Sequence, residues 1–74
     1  MPKMSIVIAN DNDREHVFAE LYNEADEQWA EILQESDSLT ITIFPNPNGN
    51  FWTFDVNDVV EIIQQAKFKL LGSG

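Results

Sequence analysis

The stretch that decides the fold is residues 12–38, NDREHVFAELYNEADEQWAEILQESDS. No proline or glycine interrupts it. Asn12 with Glu15 three residues later has the spacing of a capping box, which predicts a helix start at Asp13. At 100° per residue, Phe18, Leu21, Tyr22, Ala25, Trp29, Ile32 and Leu33 fall within an arc of roughly 120°, a core-facing stripe. Ser36-Asp37-Ser38 supplies a stop. The expectation is one long helix ending near Gln34.

Working outward, residues 4–9 (MSIVIA) are a short apolar run that reads as a strand, closed by the polar corner Asn10-Asp11-Asn12. On the other side, residues 39–44 alternate apolar residues with Thr, and residues 51–54 are rich in aromatics. The intervening PNPNGN is turn chemistry, with Gly49 and the asparagines able to take positive φ. The expectation is a β-hairpin over residues 39–54, with Phe44 opposite Phe51 and Ile41 opposite Phe54. That register puts Ile41, Ile43, Trp52 and Phe54 on one face and Thr42, Thr53, Phe44 and Phe51 on the other. A second helix follows, capped by Asp55, with Asp58 suited to its positive end and Lys67 and Lys69 to its negative end. Val56, Val59, Val60, Ile63, Ala66, Leu70 and Leu71 form its apolar stripe. Phe68 falls outside that stripe, and Gly72 can close the helix.

The order is then β-α-β-β-α. It predicts a small two-layer α+β domain, a three-stranded sheet with two helices on one face. A first helix crossing between adjacent strands would make those strands parallel. The 74 residues suffice for one domain, 1–74, with 72–74 a tail. Cysteine is absent, which excludes disulfides and thiolate metal sites. An apolar fraction of 43% separates the chain from disordered acidic tails. No apolar run approaches the roughly 20 residues that span a bilayer. Lys3 followed by a six-residue apolar run does not read as an export signal, so a cytoplasmic location is expected.

Charge is the most lopsided property. Thirteen acids against four Lys and Arg give −9, and residues 11–37 hold ten of the acids and one arginine. Such a field repels nucleic acid and anionic membranes and attracts basic surfaces. On the expected first helix Asp13, Glu20, Glu24, Glu27, Glu31 and Glu35 form an acidic row. Glu20–Glu24 and Glu27–Glu31 would be i,i+4 like-charge pairs, each destabilising by about 0.2–0.5 kcal/mol. That row is either a docking surface for a basic protein or a solvated face that keeps the chain in solution.

Other chemistry finds little support. Asp11, Asp13 and Glu15 imitate the start of a calcium loop, but His16 stands where glycine is required and Tyr22 where a bidentate glutamate is required. Asp13, His16 and Glu20 on one exposed face lack the supporting shell of a metal centre. Nucleophile and base are not paired, since Ser36 and Ser38 have no signature tying them to His16. The three glycines cannot build a phosphate-cradling loop. Exposed carboxylates lack the burial that tunes a catalytic acid.

The expected function is therefore non-enzymatic and needs no metal or cofactor. It is that of a small acidic interaction protein, inhibitor or antitoxin-like or an adaptor, docking a basic partner through the acidic helix. The alternative is a self-associating module, a homodimer closed by Phe44 and Phe51 on the outer sheet face. A third class, a small-ligand pocket around Trp29 and Trp52, asks for more core than the chain can spare.

Overall fold

The computed structural model describes residues 4–10, 16–35 and 37–72. Four strands follow in chain order: β1 (Ser5–Ala9), β2 (Phe18–Tyr22), β3 (Gln28–Glu35) and β4 (Ser38–Ile43). They form one antiparallel meander, ordered β1-β2-β3-β4. Among the described residues a single α-helix, α1 (Val56–Lys67), lies on one face, and its end widens into a π-helical turn, Phe68–Gly72. The domain is two-layered and α+β, but its described residues form four strands and one α-helix. The expected three-stranded sheet with two helices is thereby overturned.

The error lies in residues 16–34; the expected helix start at Asp13 falls outside the described residues. An apolar stripe at helical spacing also contains an alternating pattern, and here the alternation prevails. Ala19, Leu21 and Ala30 have no exposed surface, and Ile32 is nearly buried. Between them Glu20 and Glu31 point the other way, as the period of two in a strand requires. A helix would have buried Tyr22 and Leu33, which are only half-buried, and set its glutamates one turn apart. The break falls at Asn23. Its Oδ1 accepts from the Ala25 and Glu27 amides at 2.9 and 3.0 Å, its backbone exchanges bonds with Asp26 and Glu27, and its Nδ2 donates to Glu27 Oε1. Asparagine offers the backbone an alternative to the helix in this way. Asp26 takes φ 61°, the left-handed region that Asp and Asn tolerate best after glycine.

The β2–β3 ladder contains a bulge. Leu21 faces Ala30 but Tyr22 faces Gln28, so Trp29 is the extra residue. A bulge re-aims the side chains around it, and Trp29 and Ala30, though consecutive, are both buried in the core. Trp29 meets Phe54 at 4.8 Å between ring centroids, and Phe54 stacks on Trp52 at 5.8 Å. Trp29 Nε1 is buried without a hydrogen-bond partner among the described residues.

β4 is a strand where the sequence predicts one, but its partner is β3, with Ile41 opposite Ile32 and Thr42 opposite Glu31. The expected hairpin with residues 51–54 does not form. Pro45 and Pro47 have no N–H to give a ladder, and the segment closes by other bonds. Trp52 Nε1 donates to the Phe44 carbonyl at 2.8 Å, and Asn46 organises a turn through the Asn48 and Gly49 amides. Gly49 sits at φ 83°, as its turn requires. β1 pairs antiparallel with β2, so the expected parallel crossover is absent as well.

The second helix starts at its expected cap, but its buried face matches the expected stripe only in part and includes Ile62, which that stripe left out. Asp55 caps it, its Oδ1 accepting from the Asn57 amide at 2.8 Å. Ile62 and Ala66 are buried, and Val59, Ile63 and Leu70 pack against the core. Val56, Val60 and Leu71, expected in that stripe, are exposed, as is Phe68. The core thus lies between α1 and one sheet face, and among the described residues the other sheet face carries no helix. Among the described residues no helix is long and apolar enough to cross a membrane.

Candidate protein-interaction surface

The uncovered face of the sheet is built by alternation. Ala19, Leu21, Ala30 and Ile32 turn toward α1, so Val7, Glu20, Tyr22, Glu31, Leu33, Glu35, Thr40 and Thr42 turn away from it. Two hydrogen bonds on that side agree with the placement. The Tyr22 hydroxyl donates to Glu20 Oε1 at 3.0 Å, two residues along one strand. Thr40 Oγ1 donates to Glu35 Oε1 at 3.0 Å, across β3 and β4. Both bonds hold a carboxylate in a fixed position on the surface.

Glu20 and Glu31 are direct cross-strand partners. Two like charges at opposed positions repel, and no basic residue lies in any of the four strands. The donated bond, followed by partial burial and the Glu20 charge, raises the Tyr22 pKa above its ordinary 10.0. Tyr22 therefore stays a neutral donor well into the alkaline range.

The six acids read as one helical row are distributed differently. Glu20, Glu31 and Glu35 share the outer sheet face. Glu24 and Glu27 sit in the β2–β3 turn, Glu24 exposed and Glu27 half-buried beside Asn23. Asp13 lies outside the described residues. Glu24 also lines a depression at one end of the domain with Asp55 and Asp58. Phe44 and Phe51 are not cross-strand neighbours. Phe44 is half-buried after β4 and Phe51 is 94% exposed in the loop, and both border one shallow hollow with Ile43 and Trp52.

Phe54 meets both Trp29 and Trp52, at 4.8 and 5.8 Å between ring centroids. His16 is exposed, and among the described residues no group of three or more His, Cys, Asp or Glu is arranged to hold a metal ion. Asp11, Asp13, Glu15 and Ser36 fall outside the described residues. The sequence reading missed the Glu20–Glu31 pair because it placed them three helical turns apart. The alternation of Ala19, Glu20 and Leu21 with Ala30, Glu31 and Ile32 was the available signal. No protein-family model, curated protein or solved structure matches the chain.

Proposed function

We propose that this chain is a non-enzymatic interaction protein, inhibitor-like or an adaptor, that binds a basic protein surface with the outer face of its sheet. The observation that carries this reading is the cross-strand pairing of Glu20 with Glu31 in a sheet whose four strands contain no basic residue. Placing like charges opposite one another costs stability, and a cation from a partner turns that cost into attraction. Glu35, held by Thr40, extends the acidic surface along β3. Val7 and Leu33 on the same face offer apolar contact beside the charge. Recognition of this kind steers encounter and weakens with salt.

The test compares two triple reversals of equal charge change. Glu20, Glu31 and Glu35 become Lys in one variant; Glu24, Asp37 and Glu61, off that face, become Lys in the other. Capture of a basic partner at low ionic strength is expected to survive the second and disappear in the first. Equal loss in both variants would reduce the effect to net charge, and retention in both would reject the face.

A further inference from the structure

β4 is the last strand in the sheet order, so one of its edges is unpaired among the described residues. The Phe44 amide donates to the Trp29 carbonyl on β3 at 2.9 Å. In an antiparallel ladder the inward direction alternates, which assigns Thr42 and Thr40 to the β3 side with Phe44. Leu39, Ile41 and Ile43 therefore direct their N–H and C=O groups to the open edge. Their side chains belong to the helix side, where an apolar groove runs between β4 and α1, lined by Ile32, Leu39, Ile41, Ile63, Lys67 and Leu71. Ile41 and Ile43 are 41% and 60% exposed.

This edge lacks the usual protections. Natural edges carry charge, proline or a bulge. β4 has neither charge nor proline, and the sheet's bulge lies between β2 and β3. No Asp, Glu, Lys or Arg occurs anywhere in residues 38–54, although the chain carries −9. A basic partner gains nothing from such a strand and is drawn to Glu20, Glu31 and Glu35 instead. A neutral edge suits a partner that carries the same net charge of −9.

We propose that β4 pairs antiparallel with β4 of a second copy, with the two-fold axis at Ile41, joining two sheets into one of eight strands. In that register Ile41 faces Ile41, Leu39 faces Ile43, and Thr40 faces Thr42. Aliphatic meets aliphatic on the helix side and threonine meets threonine on the outer side. The outward groups of Leu39, Ile41 and Ile43 supply about six ladder bonds, two for each hydrogen-bonded residue pair. A one-residue slip would set aliphatic side chains against threonines, so the side-chain period fixes the register. The β3 glutamates of the two copies lie three strand spacings apart, roughly 14 Å. That exceeds the Debye length of about 8 Å at physiological salt. The axis stands perpendicular to the sheet, so both acidic faces end on the same side. The pairing itself does not depend on what those faces bind.

Sedimentation of the full chain over a concentration series, with amide exchange read residue by residue, tests the proposal. The expected result is a monomer–dimer equilibrium that persists or strengthens as salt rises. The Leu39, Ile41 and Ile43 amides should become protected as dimer forms, while those of Thr40 and Thr42 are protected throughout. Ile41→Lys should abolish the dimer, with circular dichroism checking its fold. Phe51→Ser, which alters a fully displayed ring in the loop, should leave the dimer intact. A wild-type monomer at high concentration overturns the proposal. So does a dimer without new protection at the three amides, or one that a folded Ile41→Lys retains. Loss of the dimer on Phe51→Ser would place the contact on the aromatic loop, and growth beyond two copies would mean open-ended pairing of β4 with β1.

Discussion

Charge reversals at Glu20 and Glu31 should be strongly non-additive, because each single reversal replaces an opposed like-charge pair with an unlike one and the double reversal restores a like pair. The two residues are Cα partners on β2 and β3. An opposed charge pair is worth about 0.2–1 kcal/mol, favourable for unlike and unfavourable for like charges. Taking about 0.5 kcal/mol per pair, the pair alone makes each mixed form about 1 kcal/mol more stable than the wild type and the double reversal. The coupling around the four-protein cycle is then about 2 kcal/mol. Glu20→Lys also loses the bond donated by Tyr22, a cost of about 0.5–1.5 kcal/mol. That loss is shared by both forms with lysine at this position and cancels from the coupling. Glu31→Lys keeps that bond, and a gain of about 1 kcal/mol from the pair corresponds to about 4–8 °C in melting temperature for a domain of this size. Urea and thermal unfolding of all four proteins measure the cycle. In about 1 M salt, where the Debye length is about 3 Å, the coupling should shrink. Additivity within about 0.5 kcal/mol at low salt would refute the pairing. So would a larger coupling in the corresponding Glu20–Glu24 cycle, the signature of a helix.

Three further outcomes follow from the packing and the cap. Leu21→Ala empties the largest fully buried side chain and should cost about 2–5 kcal/mol, against a total of about 4–11 kcal/mol for a chain of this length; urea unfolding reads the difference. Ultraviolet titration of the single tyrosine should give a pKa above 10.0, and Glu20→Gln should lower it toward that value. The native state holds this proton more tightly than the unfolded chain. The contribution is therefore complete below the unfolded pKa and fades as pH rises through the folded one. Asp55→Ala removes the acceptor for the Asn57 amide and should cost about 1 kcal/mol by thermal melting.

The second half of the chain was legible where one signal acted alone. Asp55, the apolar spacing through Ala66 and the late lysines all point to α1, and it forms where they place it. Residues 39–43 alternate and are a strand, but alternation does not name the partner. β3 was hidden inside the presumed helix, which left residues 51–54 as the nearest apparent mate. The first half was misread because Leu21, Tyr22, Trp29, Ile32 and Leu33 satisfy helical spacing while Ala19, Leu21, Ala30 and Ile32 satisfy a strand period. The bulge at Trp29 shifts the alternation by one residue and strengthens the helical impression. What separates the two is Asn23 with Asp26, a turn signal without glycine or proline. The charge asymmetry survived the change of fold because it belongs to composition. Its geometry did not, since the acidic row becomes a cross-strand pair, a neighbour along β3 and two turn residues.

A photo-crosslinking side chain at Val7, which faces Glu20 across β1 and β2 on the outer side, tests the central claim most directly. The same probe at Gln64, exposed on α1, is the control. The account predicts a salt-sensitive adduct with a basic protein from the Val7 position and none from Gln64. An adduct of equal yield from both positions, or one that persists unchanged in high salt, would contradict it.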